Sequence, residues 1–128
     1  MDWQPLALGE DVRHQLFTPQ EMARVDRHAG TVGSPIATLM EAAGFEVANL
    51  VAALHPFGVR VAVVAGLGNN GGDAFVAAEV LRARGYKVTV VDAAPDIHRE
   101  GAAGAARRAF GGATVSGEDG VAVIGAAD

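Results

Sequence analysis

An α/β fold built on a parallel sheet is predicted by three observations: a short β-branched apolar run at residues 59–65, a glycine-rich turn directly after it, and a helix leading into a second such run at 87–91. A strand buried on both faces reads as a nearly continuous apolar stretch, and Val59-Arg60-Val61-Ala62-Val63-Val64-Ala65 has that character. Two parallel strands need a crossover connection, which the intervening helix supplies.

Two helices are expected ahead of the first strand. Thr18-Pro19-Gln20-Glu21 places Thr at an N-cap, Pro at the first helical position and Glu three residues after the cap, a reciprocal capping pattern that starts a helix over about 19–28. Gly30 to Gly33 breaks it, and Ser34-Pro35 repeats the cap-then-proline logic. Ile36, Leu39, Met40, Ala43, Val47, Leu50, Val51 and Leu54 then recur at helical spacing and are expected to face the core. His55-Pro56-Phe57-Gly58 turns the chain into the first strand. Beyond the glycine turn, Ala74 to Arg84 reads as a helix with Phe75, Val76, Ala78, Val80 and Leu81 inward, stopped by Gly85. Lys87 to Val91 is the second strand. Asp96 to Phe110 reads as a second crossover helix and Ala113-Thr114-Val115 as a short third strand, while Gly117 to Asp128 is compatible with helix or strand. Residues 1–17 show no periodicity and read as an irregular lead-in.

Composition narrows the function classes. A chain of 128 residues, half of them hydrophobic, is expected to form one domain with an ordinary core. The net charge of −5 and the 5% aromatic content argue against nucleic acid and anionic membranes as partners. A small anionic ligand would therefore rely on local backbone dipoles. The absence of cysteine removes thiolate chemistry and disulfides. Met1 to Glu10 lacks a basic patch followed by an apolar core, and no apolar run is expected to span a bilayer, so a cytoplasmic protein is expected.

Gly66, Gly68 and Gly71 spell G-x-G-x-x-G between strand and helix, and Asp92 ends the next strand about 20 residues further on, as the dinucleotide fingerprint requires. Glycines allow the tight turn, and the helix N-terminus offers unpaired N–H groups to phosphate. This pattern alone suggests an NAD-dependent oxidoreductase domain. Asn69, Asn70 and Asp73 do not suit it, because they crowd the turn with amide and carboxylate oxygens that fit a hard cation or ligand hydroxyls. Each has a structural reading too: Asp73 as the N-cap of the helix, and the asparagines as turn residues. Glu41 reads as a paired structural carboxylate, Asp92 as a ribose contact or a strand end, and Arg107 and Arg108 as a solvated helix face. His14, His28, His55 and His98 share no metal-binding spacing.

Gly66-Leu67-Gly68-Asn69-Asn70-Gly71-Gly72-Asp73, followed by Phe75-Val76-Ala77-Ala78 and preceded by Leu39-Met40-Glu41-Ala42-Ala43-Gly44, resembles the YjeF N-terminal domain family, the NAD(P)H-hydrate epimerases. The chain departs from the family pattern at Ala74, where glycine is usual, and at Ala42, where asparagine is usual. The resemblance implies a Rossmann-like three-layer αβα fold and interconversion of the R and S epimers of hydrated NADH and NADPH (NADHX, NADPHX). A partner ADP/ATP-dependent NAD(P)H-hydrate dehydratase would then repair the S form. It further implies that Asn69, Asn70, Gly71, Gly72 and Asp73 contact the substrate and that Asn70 contributes to a potassium (K+) site. The family's catalytic aspartate lies on a later strand, in a Val-Asp-Ala…Gly-Thr-Gly segment that does not occur in these residues, so the domain is expected to be incomplete and the catalytic residue is not assigned. A noncatalytic nucleotide-binding or scaffold module is the alternative from the binding class, and the sequence leaves a homodimer open.

Overall fold

The computed structural model describes residues 16–31, 35–97 and 99–128, and these described residues fall into two units that divide between Ile36 and Ala37. In the first unit, α1 (Pro19–Thr31) begins with the reciprocal cap that its sequence demands. The Thr18 backbone N–H donates to Glu21 Oε2 at 2.7 Å and the Glu21 N–H donates to Thr18 Oγ1 at 3.2 Å. These bonds hold the Glu21 carboxyl below the usual carboxylate range. The expected Ser34 cap lies outside the described residues.

In the second unit, α2 (Ile36–Leu54) leads into β1 (Arg60–Ala65), α3 (Gly68–Ala83), β2 (Lys87–Asp92), α4 (Gly101–Ala109), β3 (Ala113–Val115) and α5 (Gly117–Ala126). The sheet order is β1-β2-β3 and both pairings are parallel, with Val61 opposite Val88, Ala65 opposite Asp92 and Thr89 opposite Ala113. Alternation along β2 divides its faces. Val88 and Val90 join Phe75, Ala78 and Leu81 of α3 in the core, and α4 packs beside α3. On the opposite face Gly120 of α5 lies against Val91, close enough that an added Cβ would sit 2.6 Å from Val91 Cγ1. The architecture is therefore α/β with helices on both faces of a parallel sheet.

The end of α3 explains how the chain turns into β2. Gly85 takes φ of 92°, its N–H donates to the Arg82 carbonyl at 3.0 Å, and the Tyr86 N–H reaches back to the Leu81 carbonyl at 3.1 Å. This is a Schellman cap, for which a glycine after the helix is the sequence signal.

Several expectations need correction. Helix α3 starts at Gly68 rather than near Ala74, so most of the glycine motif is helical; α4 starts at Gly101 rather than Asp96. The segment from Gly117 resolves as helix. The apolar stripe of α2 does not face the core as predicted: Met40, Gly44 and Ala48 are buried, whereas Ile36, Val47, Leu50 and Leu54 are exposed. Small residues let the backbone of α2 approach α3, since a Cβ on Gly44 would stand 2.5 Å from Val76 Cγ1, and that close contact, not side-chain size, sets the buried face. Against expectation, α2 is long and apolar enough to cross a bilayer by length and composition. It nevertheless carries the exposed Glu41 and Glu46 and seats Gly44 on α3.

At the outer edge of β1, the Asp128 N–H donates to the Arg60 carbonyl at 3.0 Å while Asp128 Oδ2 accepts the Arg60 N–H at 2.9 Å. The Arg60 guanidinium completes an ion pair at 3.1 Å and holds the Asp128 carboxyl below its ordinary range.

Candidate functional site

The glycine turn lies at the carboxyl ends of the parallel strands, where open α/β sheets bind their ligands. Ala65 is buried, Gly66 and Leu67 turn the chain, and Gly68 opens α3 with φ of 70°, a left-handed conformation in which a side chain would be strained. The N-cap is Leu67, in extended backbone, with no side-chain hydrogen bond to the helix. Asp73 is therefore not the cap; it sits inside the helix. Leu67 itself brings no oxygen to this helix start, a place where backbone amides and the positive end of the dipole suit an anion.

The five motif residues divide by burial. Asn69 and Asn70 are exposed, Asp73 is half-buried, and Gly71 and Gly72 are buried. The glycines face inward because there is no room for more: a Cβ on Gly71 would press on the Gly66 carbonyl oxygen and stand 2.7 Å from Arg99 Nη1, and one on Gly72 would meet the Met40 thioether and Ala103 Cα. Asn70 and Asp73 lie three residues apart, on one helix face. Both border a cleft of about 410 Å³ between α2, β1 and α3, whose other walls are apolar, among them Val51, Val63 and Ala77. Two polar residues thus stand at the border of a largely apolar hollow, the usual make-up of a small-molecule site.

Beneath the turn lies a charge cluster. Asp92, at the end of β2, and Arg99 have side chains that are 1% and 3% exposed, and Arg99 Nη2 donates to Asp92 Oδ1 at 2.9 Å. Oδ1 also accepts the Ala94 N–H at 3.0 Å. Arg99 Nη1 donates to the Gly66 carbonyl at 2.7 Å. Arg107 Nη2 stands 3.0 Å from Asp92 Oδ2, within ion-pair range but off the line of a hydrogen bond, which leaves Oδ2 paired only electrostatically. Asp92 is thus committed inside the protein. It is not presented to a ribose, and the oxidoreductase reading loses the carboxylate it needs.

Arg107 is consequently more than a solvated face, whereas Arg108 is exposed. Glu41 is exposed rather than buried and paired. Arg99 is the residue that sequence reasoning missed. The available signal was an arginine seven residues after an acid that closes a strand. Among the described residues, no group of three or more His, Asp or Glu could hold a metal ion.

Comparison with known proteins points the same way. The profile of the family described as YjeF-related protein N-terminus matches residues 36–121. An NAD(P)H-hydrate epimerase from Bordetella pertussis (strain CS) is 58% identical over 53 residues, 41% of this chain and 23% of that protein. A bifunctional NAD(P)H-hydrate repair enzyme Nnr from Pyrobaculum aerophilum is 46% identical over 75 residues, 59% of this chain and 15% of that protein. The matches therefore span less than a quarter of either relative's length. The crystal structure of yeast ynu0 superposes with a TM-score of 0.71 at 28% identity, covering 83% of this chain and 49% of that one.

Proposed function

Because this chain belongs to the YjeF-related protein N-terminus family, we propose that its glycine turn is the substrate-binding element of an NAD(P)H-hydrate epimerase. The observation that carries this reading is the start of α3 at Leu67, which makes no side-chain cap, with Asn70 and Asp73 bordering one cleft beside it. Backbone amides at a helix start suit a phosphate, and amide and carboxylate oxygens suit the hydroxyls of a ribose or of a hydrated nicotinamide ring. The substrate is NADHX or NADPHX, interconverted between R and S forms, and an ADP/ATP-dependent dehydratase consumes the S form. The names of the relatives support this chemistry.

Potassium is proposed as the cation at this turn, with the Asn70 side-chain oxygen as one ligand. The donors are right in kind, since a hard cation prefers neutral and anionic oxygen. They are few in number, so other oxygens would complete the shell. Bound there, the cation would supply positive charge to the turn; the chain's own residues orient the substrate.

The test uses the natural protein that carries these residues. R-NADHX is mixed with an S-specific dehydratase and its nucleotide cofactor, and NADH is followed on adding the protein. Recovery of NADH is expected, and no recovery overturns the proposal. Asn70→Ala should raise the potassium concentration needed for half-maximal rate; an unchanged dependence removes Asn70 from the ligand set.

A further inference from the structure

We infer that Arg99 is the positioning residue of the glycine turn: its guanidinium ties the Gly66 carbonyl to the buried Asp92 carboxylate and so fixes where the first amides of α3 point. The ligand role of those amides rests on the function proposed above; the clamp itself does not.

Neutralising Asp92 does not by itself require Arg99. Arg107 already holds the other carboxylate oxygen, and the Ala94 N–H shares the first. Two guanidiniums on one carboxylate is more positive charge than pairing needs. Arg99 is also a costly residue to bury, because its Nε has no hydrogen-bond partner and buried ion pairs seldom add net stability. What distinguishes it is its bond to Gly66, directly ahead of the pivot at Leu67 and Gly68 where the backbone enters the left-handed region.

Gly71 gives the same answer from the other side of the contact. The space its side chain would occupy is filled by the Gly66 carbonyl and Arg99 Nη1. The third glycine of the motif therefore gives clearance to the clamp, in addition to the close helix–strand packing that the dinucleotide fingerprint asks of it. A planar fork is needed to bridge two acceptors on different segments, and a lysine ammonium at that site is a single point charge.

The test compares Arg99→Ala, Arg99→Lys and Arg107→Ala in 15N-labelled protein, reading backbone amide resonances and the affinity for NADHX. Both Arg99 variants are expected to move the amides of residues 66–71 and to weaken NADHX binding at least roughly tenfold, the scale of a misplaced contact group. Arg107→Ala removes a partner of the same carboxylate but should leave those amides in place and affinity within about twofold of wild type. Guanidinium ion added to Arg99→Ala should restore part of the affinity. If Arg99→Ala does not fold, Arg99→Lys, which keeps the charge, decides. Wild-type behaviour of Arg99→Lys, or equal effects of Arg107→Ala and Arg99→Ala, overturns the inference. If the natural protein that carries these residues binds no NADHX, the proposed function fails, and the amide shifts would still decide the clamp.

Discussion

Gly71→Ala places one methyl group at the tightest point of the candidate site, and its effect can be worked from the surroundings. Inside a helix the change from glycine to alanine ordinarily stabilises by about 1 kcal/mol. Here the new Cβ would press on the Gly66 carbonyl and stand 2.7 Å from Arg99 Nη1. A backbone carbonyl cannot rotate away as a flexible side chain can, so either α3 shifts or the clamp opens. Overpacking costs about 1–3 kcal/mol. Losing a hydrogen bond to a buried charged group costs about 1.5–3 kcal/mol. If both costs are incurred, the net destabilisation after the helix gain is about 1.5–5 kcal/mol, or roughly 5–20 °C in Tm for a domain of this size. Urea and thermal unfolding followed by far-UV circular dichroism measure it. A Gly71→Ala protein as stable as wild type would refute the packing account of this glycine and weaken the case for the clamp.

Three further predictions follow from the same geometry. Gly125→Ala in α5, where an added Cβ meets nothing within 4 Å, should stabilise by about 0.5–1 kcal/mol in the same unfolding assay and serves as the control for Gly71. Gly44→Ala, 2.5 Å from Val76 Cγ1 and 3.0 Å from the Ala77 nitrogen, should destabilise by about 1–3 kcal/mol and loosen α2 from α3, seen as faster amide exchange in α2. Glu79 accepts hydrogen bonds from Arg82 at 2.7 and 2.9 Å and from the Gly111 N–H at 3.1 Å, and these hold its carboxyl below the ordinary range. With the folded value depressed, this stabilisation is complete above the unfolded pKa of about 4.3 and is lost as pH falls through the folded value. Glu79→Gln should therefore cost up to about 1 kcal/mol at neutral pH, where the partly exposed pair is screened, and nothing in strong acid.

What could be read from the sequence follows the range of the interactions involved. The Thr18–Glu21 cap and the Gly85 stop are local, and both stand where the residues put them. The strands were legible because β-branched runs bounded by turn residues have few other outcomes. The buried face of α2 was not, because apolar periodicity weighs large side chains whereas this helix docks through Gly44 and Ala48. The early start of α3 was hidden by glycines and asparagines, which read as loop until the turn and the helix dipole are considered together. Within the site, the residue types at 69–73 were legible, but their division into outward amides and inward glycines was not. The Asp92–Arg99–Gly66 clamp joins three segments through side chains, and no periodic pattern announces such a contact.

The central claim, that the turn at residues 66–73 receives a hydrated nicotinamide nucleotide, is tested most directly by titrating the 15N-labelled natural protein that carries these residues with NADHX and mapping the shifted amides. The account predicts saturable shifts concentrated at Gly68 to Asp73, weakened in Asn70→Ala. Shifts confined to other surfaces, or none at millimolar ligand, would contradict it.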